Sequence, residues 1–226
     1  MKKQTLLISA TLIAALLSGC GAKPQAAPPT QTEPPAQEEP TTPPEAPQNT
    51  FAASLPAGVE QLLSETKPLP ELAKAIVDEY QIPEEEWAQT KYYYNYVDLN
   101  GDGTDEIFAI VMGPYTSGTS GDSALWLLPY AGMAVSQTFT MFRAPIIISD
   151  TITNGAHEIV FQRGGGGGKA ETIHLICSDG VYNNPSDAEV LENIDDLTGK
   201  AIICNDFIAD MDSGSYLTLE DAKDAA

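Results

Sequence analysis

Short runs of β-branched and aromatic residues dominate the middle of the chain. Residues 91–97 and 106–112 are rich in Tyr, Val, Ile and Phe, which favour β-strands. Residues 124–129 and 133–142 repeat this pattern, and the connections between the four segments are rich in Gly and small polar residues. The pattern predicts four consecutive strands joined by short connections.

Apolar residues before this region recur at helical spacing. They are Val59, Leu62, Leu63, Leu72, Ile76 and Val77. Pro83 and the three glutamates that follow it are typical of a first helical turn before Trp87. We therefore expect two or three short helices ahead of the strands.

The C-terminal part of the chain predicts a mixture of short elements. Residues 187–197 are expected to be partly helical, residues 200–204 to form a strand, and residues 219–223 to form a last helix. Cys177 and Cys204 each fall in a predicted strand. Outside the cytoplasm they can form a disulfide if those strands are neighbours, or they can remain buried free thiols.

The N-terminus has the pattern of a signal peptide. Lys2 and Lys3 precede an apolar run over residues 6–17, which is too short to span a bilayer. The run ends in Leu17-Ser18-Gly19-Cys20, which resembles the bacterial lipobox. The resemblance implies that residues 1–19 are removed and that lipid is attached to Cys20, so that the protein is anchored to a cell membrane on its extracytoplasmic side.

Residues 20–50 differ in composition from everything that follows. Nine prolines occur among residues 21–50, together with many Gln, Thr, Glu and Ala and hardly any large apolar side chain. Such a segment cannot form a core and favours extended polyproline conformations. We interpret it as a disordered spacer between the lipid and a globular domain over residues 51–226.

The charge of the chain limits its partners. Eleven Lys and Arg against 32 Asp and Glu give a net charge of -21. This charge repels nucleic acid and anionic lipid headgroups, so we exclude nucleic-acid binding. It suits a protein that meets divalent cations or a basic partner, and it also favours solubility.

The densest group of acidic residues lies in the predicted connection over residues 98–106. Asp98, Asn100 and Asp102 stand at positions 1, 3 and 5 of this connection, and Gly103 stands at position 6. Alternating Asp and Asn with a glycine at the sharp turn provide the oxygen ligands that Ca²⁺ prefers. Position 12 is Ala109 rather than an acid, which argues against an EF-hand. The alternative is an acidic turn whose side chains only cap backbone amides.

This loop, flanked by two strands and ending in Asp-Glu-Ile, resembles the FG-GAP (integrin α-type) calcium-binding repeat of β-propeller blades. The resemblance implies that the side chains at positions 1, 3, 5 and 9 and the carbonyl at position 7 hold the ion. The implied ligands are Asp98, Asn100, Asp102, Glu106 and the carbonyl of Thr104.

A second, weaker copy of the loop begins at Asp150. It keeps Gly155 at position 6 and Glu158 at position 9, but Ile152 and Asn154 replace the ligands at positions 3 and 5. We interpret residues 150–158 as a vestigial turn. Two copies cannot make a complete propeller, which needs at least four blades. We therefore expect a mainly β (α+β) domain, an antiparallel sheet or sandwich of two blade-like meanders with short N-terminal helices.

No catalytic motif stands out. His157 and His174 lack zinc-like spacing, and the run from Gly164 to Lys169 lacks the residues of a phosphate-binding loop at both of its ends. Neither a nucleophile elbow nor a justified Cys-His pair is found. The alternating Tyr92, Tyr94 and Tyr96 suit either a sugar or peptide surface or cross-strand packing.

These features predict a membrane-anchored lipoprotein with a structural Ca²⁺ site. Its globular domain is expected to act as a binding or adhesion module for an envelope protein or glycan. The alternative is an envelope polysaccharide hydrolase that uses paired carboxylates.

Overall fold

The computed structural model describes residues 54–165 and 169–224. The predicted signal peptide, Cys20, the spacer to residue 50, the expected domain start at Phe51 and residues 166–168 of the glycine run lie outside the described residues. The α-helices and strands in chain order are β1 Val59–Gln61, α1 Pro70–Tyr80, β2 Lys91–Val97, β3 Glu106–Met112, β4 Ser117–Gly118, β5 Gly121–Leu128, β6 Ala134–Phe142, β7 Ile146–Thr153, β8 Ala156–Arg163, β9 Glu171–Leu175, β10 Cys177–Ser178, β11 Val181–Tyr182, β12 Glu189–Val190, β13 Gly199–Ile202, α2 Phe207–Ser213, β14 Leu217–Thr218 and α3 Leu219–Asp224.

The strands form two six-stranded sheets and one small hairpin. In the first sheet the order is β14-β2-β3-β5, and both β4 and β6 pair with β5. In the second sheet the order is β1-β13-β7-β8-β9-β12, and only the β1–β13 pair is parallel. Each sheet thus contains a four-stranded antiparallel meander, β2-β3-β5-β6 in the first and β7-β8-β9-β12 in the second. The expected mainly β fold without a complete propeller is confirmed.

The two sheets pack face to face as a sandwich. Their facing sides share one apolar core, to which the first sheet contributes Phe108 and Phe142 and the second contributes Phe161. The ring centres of Phe142 and Phe161 lie 3.9 Å apart in a stacked arrangement. Aromatic burial of this kind contributes both apolar area and pair geometry.

Helices α1 and α3 cover the other face of the first sheet. Leu72 and Ile76 of α1 and Leu219 of α3 pack with Tyr92 and Tyr94 of β2. The first sheet is therefore the middle of three layers. Six of the seven residues of β3 are buried, which explains why this strand is a continuous apolar run rather than an alternating one.

The structure corrects the predicted helix around Val59. Residues Val59–Gln61 form β1, which pairs in parallel with β13, and the Leu62 N–H continues this pairing to the Ala201 carbonyl at 2.8 Å. The second predicted helix is confirmed as α1, with Pro70 in its first turn. The acidic segment after Pro83 forms only a single 3-10 turn, Glu84–Glu86.

The expectation of a partly helical segment over residues 187–197 is also wrong. A 3-10 turn over Pro185–Asp187 is followed by β12 and a loop. Leu191, Ile194 and Leu197 of this loop pack on the outer face of the second sheet. The helix-like spacing of these apolar residues therefore belongs to a loop that covers the sheet.

The strand predicted over residues 200–204 is present as β13, but it ends at Ile202, so Cys204 lies just beyond it. The predicted last helix is confirmed as α3. Between them lies α2, whose first turn is capped by the Asp206 carboxylate through the N–H groups of Ile208 and Ala209. None of the helices within residues 54–165 and 169–224 is long and apolar enough to cross a membrane.

Candidate metal centre

The predicted metal loop closes the β2–β3 hairpin. The two strands pair in register from Lys91 opposite Met112 to Val97 opposite Glu106. Residues 98–105 therefore form the connection, and Glu106 is the first residue of β3. Four of the five implied ligands lie in this loop, and the fifth, Glu106, begins the strand that follows it.

Two glycines give the loop its shape. Gly101 and Gly103 adopt left-handed conformations, with φ of 71° and 84°, which residues other than glycine rarely adopt. Asp98 Oδ1 accepts a hydrogen bond from the Gly101 N–H, and Oδ2 accepts one from the Gly103 N–H, both at 2.8 Å. The expected sharp turn at position 6 is present, and it folds the backbone around the Asp98 carboxylate.

Glu106 is the buried member of the ligand set, with none of its surface exposed. Its Oε2 accepts the Leu99 N–H at 2.8 Å, and its Oε1 accepts the side-chain amide of Asn100 at 2.8 Å. Burial raises the pKa of Glu106, the Leu99 N–H opposes that shift, and the carboxylates of Asp102 and Asp98 raise the pKa further. An ionised Glu106 is thus disfavoured by both its surroundings and its neighbours.

Asp102 lies at the opposite, exposed side of the loop. Its Oδ1 accepts the Thr104 N–H at 2.7 Å, and this hydrogen bond is the main reason why the pKa of Asp102 is lowered. Its Oδ2 accepts the Asn100 amide at 3.1 Å. The same Asn100 nitrogen therefore joins Asp102 to Glu106, so a neutral donor stands between two carboxylates.

The donor set fits Ca²⁺ by its chemistry. Hydrogen bonds connect Asp98, Asn100, Asp102 and Glu106, all of which present hard oxygens. A carboxylate oxygen has two lone pairs, so the amide contacts leave capacity for an ion. Within the described residues, no three His, Cys, Asp or Glu side chains are already in a metal-binding arrangement. The carboxylates would have to converge further around an ion, and Asn100 would have to turn its carbonyl oxygen towards it.

A tyrosine that the sequence did not indicate borders this loop. The Tyr130 hydroxyl donates to Glu106 Oε1 at 3.4 Å from the 3-10 turn Pro129–Ala131. Tyr130 is 56% exposed, so only partial desolvation of its hydroxyl, followed by the charges of Glu106 and Asp102, raises the pKa of Tyr130. The turn lies outside the motif, and nothing in its sequence marks this contact.

The second copy of the loop is a tight hairpin. Asn154 and Gly155 have φ of 55° and 85° and are the only residues between the paired Thr153 and Ala156. Such left-handed pairs are typical of two-residue hairpin turns. Glu158 lies in β8, where it accepts a hydrogen bond from Thr153 Oγ1 at 2.7 Å. The residues that match the motif are here divided between two strands and a turn.

The two hairpins touch each other at the same end of the sandwich. The His157 N–H donates to the Leu99 carbonyl at 2.9 Å. The Ile152 side chain lies 3.7 Å from the position that a Cβ at Gly101 would occupy. This contact supports the metal loop from one side.

The tyrosines of β2 are mostly buried and pack within the domain. Tyr92 and Tyr94 are buried against the helices and Tyr93 is buried between the sheets, whereas Tyr96 is 45% exposed. The tyrosines therefore pack within the core, and no flat aromatic surface lies along β2.

The two histidines also contact neighbouring protein groups. His157 Nδ1 lies 2.6 Å from the Ser149 carbonyl, and His174 Nδ1 lies 3.2 Å from Glu158. Cys177 is buried and Cys204 is half-buried, and both are free thiols. The structure thus supports the free-thiol alternative.

Comparisons of the chain with protein-family models, with curated proteins and with solved structures found no match.

Proposed function

We propose that the protein is a lipid-anchored, extracytoplasmic binding module whose β-domain holds one structural Ca²⁺ in the loop over residues 98–106. The observation that carries the calcium part is Glu106, a fully buried carboxylate beside two further carboxylates. The groups that contact it are amide and hydroxyl donors. A divalent cation would turn this repulsion into attraction.

The expected location agrees with a weak structural site. Extracellular calcium modules bind with dissociation constants of about 10⁻⁴ to 10⁻³ M. Calcium outside the cell would then occupy the loop constitutively, so the ion would stabilise the domain rather than signal. The ion would hold the end of the β2–β3 hairpin, which belongs to the middle layer of the domain.

The binding role is supported by the arrangement of the chain. The lipobox resemblance implies an anchor at Cys20, and the thirty residues from 21 to 50 would span about 90 Å in the polyproline conformation. A β-domain held at such a distance from the membrane is suited to contact an envelope protein or glycan. The lack of a recognised catalytic motif favours this role over an enzymatic one.

The hydrolase alternative has one specific candidate pair. Glu106 has a raised pKa and Asp102 a lowered one, which is the difference that a general acid and its partner require. However, no part of Glu106 is exposed and both of its oxygens accept hydrogen bonds. A general acid must reach the substrate, so this pair supports metal binding better than hydrolysis.

Fractionation of bacterial cells that express the full chain tests the anchor. We expect the wild type in the membrane fraction, released only by detergent, and a Cys20→Ala variant in the soluble extracytoplasmic fraction. Cys204→Ala is the matched control and should behave as the wild type. A Cys20→Ala variant that stays on the membrane would refute the anchor.

Equilibrium dialysis tests the ion on the mature chain, residues 20–226, made without lipid as the Cys20→Ser variant. We expect one Ca²⁺ per chain, lost when Asp98 is replaced by Asn. No bound calcium at millimolar concentration would refute the structural site.

Incubating the same protein with envelope polysaccharides tests the hydrolase alternative. Release of sugar by the wild type that is lost in Glu106→Gln would favour a hydrolase.

A further inference from the structure

Strand β6 is the only long strand at an edge of either sheet in the described part of the chain. It has nine residues, Ala134–Phe142, and pairs on one side only, with β5. The other terminal strands, β1, β4, β12 and β14, have two or three residues each. Short edge strands limit pairing with other chains, and β6 does not have this protection.

The edge of β6 is also uncharged. No Asp, Glu, Lys, Arg or Pro occurs in this strand, although such residues commonly protect exposed edges. Within residues 54–165 and 169–224, no backbone group of β6 forms a hydrogen bond beyond its ladder with β5. The edge therefore offers unpaired N–H and C=O groups to an added strand.

Two irregularities limit how long such an added strand can be. The register of β6 against β5 shifts between Val135 and Gln137 and again between Phe139 and Phe142. Bulges of this kind bend a strand and disfavour long, flat pairing between edges. They oppose a continuous sheet between two copies of the chain, as does the repulsion between two chains of net charge -21. A short segment can still pair with a few residues of the edge.

A groove of about 370 Å³ lies beside the start of β6, between this strand and α1. Its apolar part consists of Ala75, Met133 and Val135, which pack with the helix-covered face of the first sheet. Charged side chains of α1 also line the groove: Glu71, Lys74, Asp78 and Glu79. The groove therefore lies on the side of the sheet to which alternate residues of a strand next to β6 would point.

The charges in the groove favour a cation. Lys74 forms an ion pair with Asp78. Glu71 and Glu79 are exposed and have no ion-pair partner in the described part of the chain. The opposite end of β6 is followed by the basic Arg143. A basic side chain of a bound segment is therefore favoured at the end of the edge that lies beside α1.

We propose that the edge of β6 and this groove bind an extended basic segment of another protein. The segment adds to the first sheet as a strand next to β6, about 4.8 Å from it, and places a Lys or Arg side chain in the groove. The aliphatic part of that side chain lies on Ala75, Met133 and Val135, and its cation reaches Glu71 or Glu79. The proposal rests on the proposed function in taking the domain as a binding module, and it names the partner as a protein.

A short synthetic peptide tests the edge. The mature chain, residues 20–226 with Cys20→Ser, is titrated with acetyl-Thr-Val-Thr-Lys-Thr-Val-Thr-amide, whose two Val and single Lys share one face of an extended strand. Protein-observed NMR follows the binding, and we expect shifts at residues 132–142 and along α1. The same peptide with Glu in place of Lys should bind about tenfold more weakly. The peptide N-methylated at its three central residues should not bind, because it lacks the N–H donors of a strand.

Removal of two carboxylates from the protein tests the groove. Glu71→Gln/Glu79→Gln should weaken the Lys peptide about fivefold, as expected for the loss of two exposed ion pairs. Glu60→Gln/Glu192→Gln is the matched control, because it removes the same charge from exposed positions in β1 and in the loop that covers the second sheet. This control should bind as the wild type. Equal weakening by the two double variants would mean that only net charge matters and would overturn the groove.

The peptide controls can also overturn the proposal. Equal binding of the N-methylated peptide would show that no strand is added, and equal binding of the Glu peptide would exclude a basic partner. A dimer seen by analytical ultracentrifugation without peptide, and disrupted by Thr138→Lys, would assign the edge to a second copy of the chain.

Failure of this proposal differs from failure of the proposed function. If the Lys peptide does not bind the wild type, strand addition at β6 is refuted. Calcium binding and membrane anchoring are measured without any peptide and stand or fall separately. The binding role would then be assigned to a glycan.

Discussion

Replacing a single carboxylate in the metal loop separates ligation from simple loss of charge. Asp102 is a predicted ligand, and Asp105 is an exposed carboxylate three positions further on that lies outside the predicted ligand set. Asp102→Asn and Asp105→Asn remove the same charge from the same loop. The Asn at 102 keeps a carbonyl oxygen that can accept the Thr104 N–H, so the turn itself should survive.

The size of the expected effect follows from mass action. At about 100 times its dissociation constant, an ion that binds only the folded state stabilises it by about 2.7 kcal/mol. In a domain of this size that corresponds to a rise in melting temperature of roughly 5 to 10 °C. A tenfold weaker site at the same calcium concentration would retain only about half of this rise.

Thermal unfolding followed by circular dichroism measures the effect, in excess EDTA and across a calcium titration. We expect the wild type and Asp105→Asn to show the full rise and Asp102→Asn to lose at least half of it, while all three unfold at similar temperatures in EDTA. Equal losses in both variants would mean that calcium only screens the acidic loop. No rise in the wild type would refute the site.

Three further predictions test the surroundings of the loop. Burial raises the pKa of Glu106, so the folded state takes up a proton more readily than the unfolded state. The calcium-free protein should therefore gain stability, measured by urea unfolding, as the pH falls from 7 towards the ordinary carboxyl range. Glu106→Gln should lack this gain. Tyr130 lies beside Glu106, so terbium bound in the loop should emit on tyrosine excitation, and Tyr130→Phe should reduce the emission without reducing calcium affinity. Phe142→Ala should lower the free energy of unfolding by about 3–5 kcal/mol, because its buried ring stacks on Phe161 between the sheets. A loss of less than about 0.5 kcal/mol, which is typical of a surface substitution, would contradict the sandwich core.

Local patterns were sufficient where neighbouring residues decide the structure. The tyrosines of β2 alternate between the helix-covered face and the inter-sheet core, as strand periodicity requires. The spacing of Asp98, Asn100 and Asp102 with Gly103 predicted a sharp turn, and the hydrogen bonds of Asp98 confirm it. Calcium at this turn remains a prediction.

Partners distant in sequence account for most of the errors. Val59 is part of a strand because Gly199, far along the chain, pairs with it, and no local pattern shows this. By contrast, the start of α2 has a local signal in the sequence, since Asp206 precedes the apolar Phe207 and Ile208 as an N-cap should.

The tight turn at Asn154 and Gly155 has a practical meaning for protein engineering. The β7–β8 hairpin closes with two residues, while the β2–β3 hairpin closes with residues 98–105, and Ala156 stands after the short turn where Glu106 stands after the long one. A gene in which residues 98–106 are replaced by Asn-Gly-Ala would therefore encode the shorter closure that the protein already uses. Such a domain would lack the proposed calcium ligands and also the fully buried Leu99, so a metal-independent scaffold of this kind needs a replacement for that core side chain.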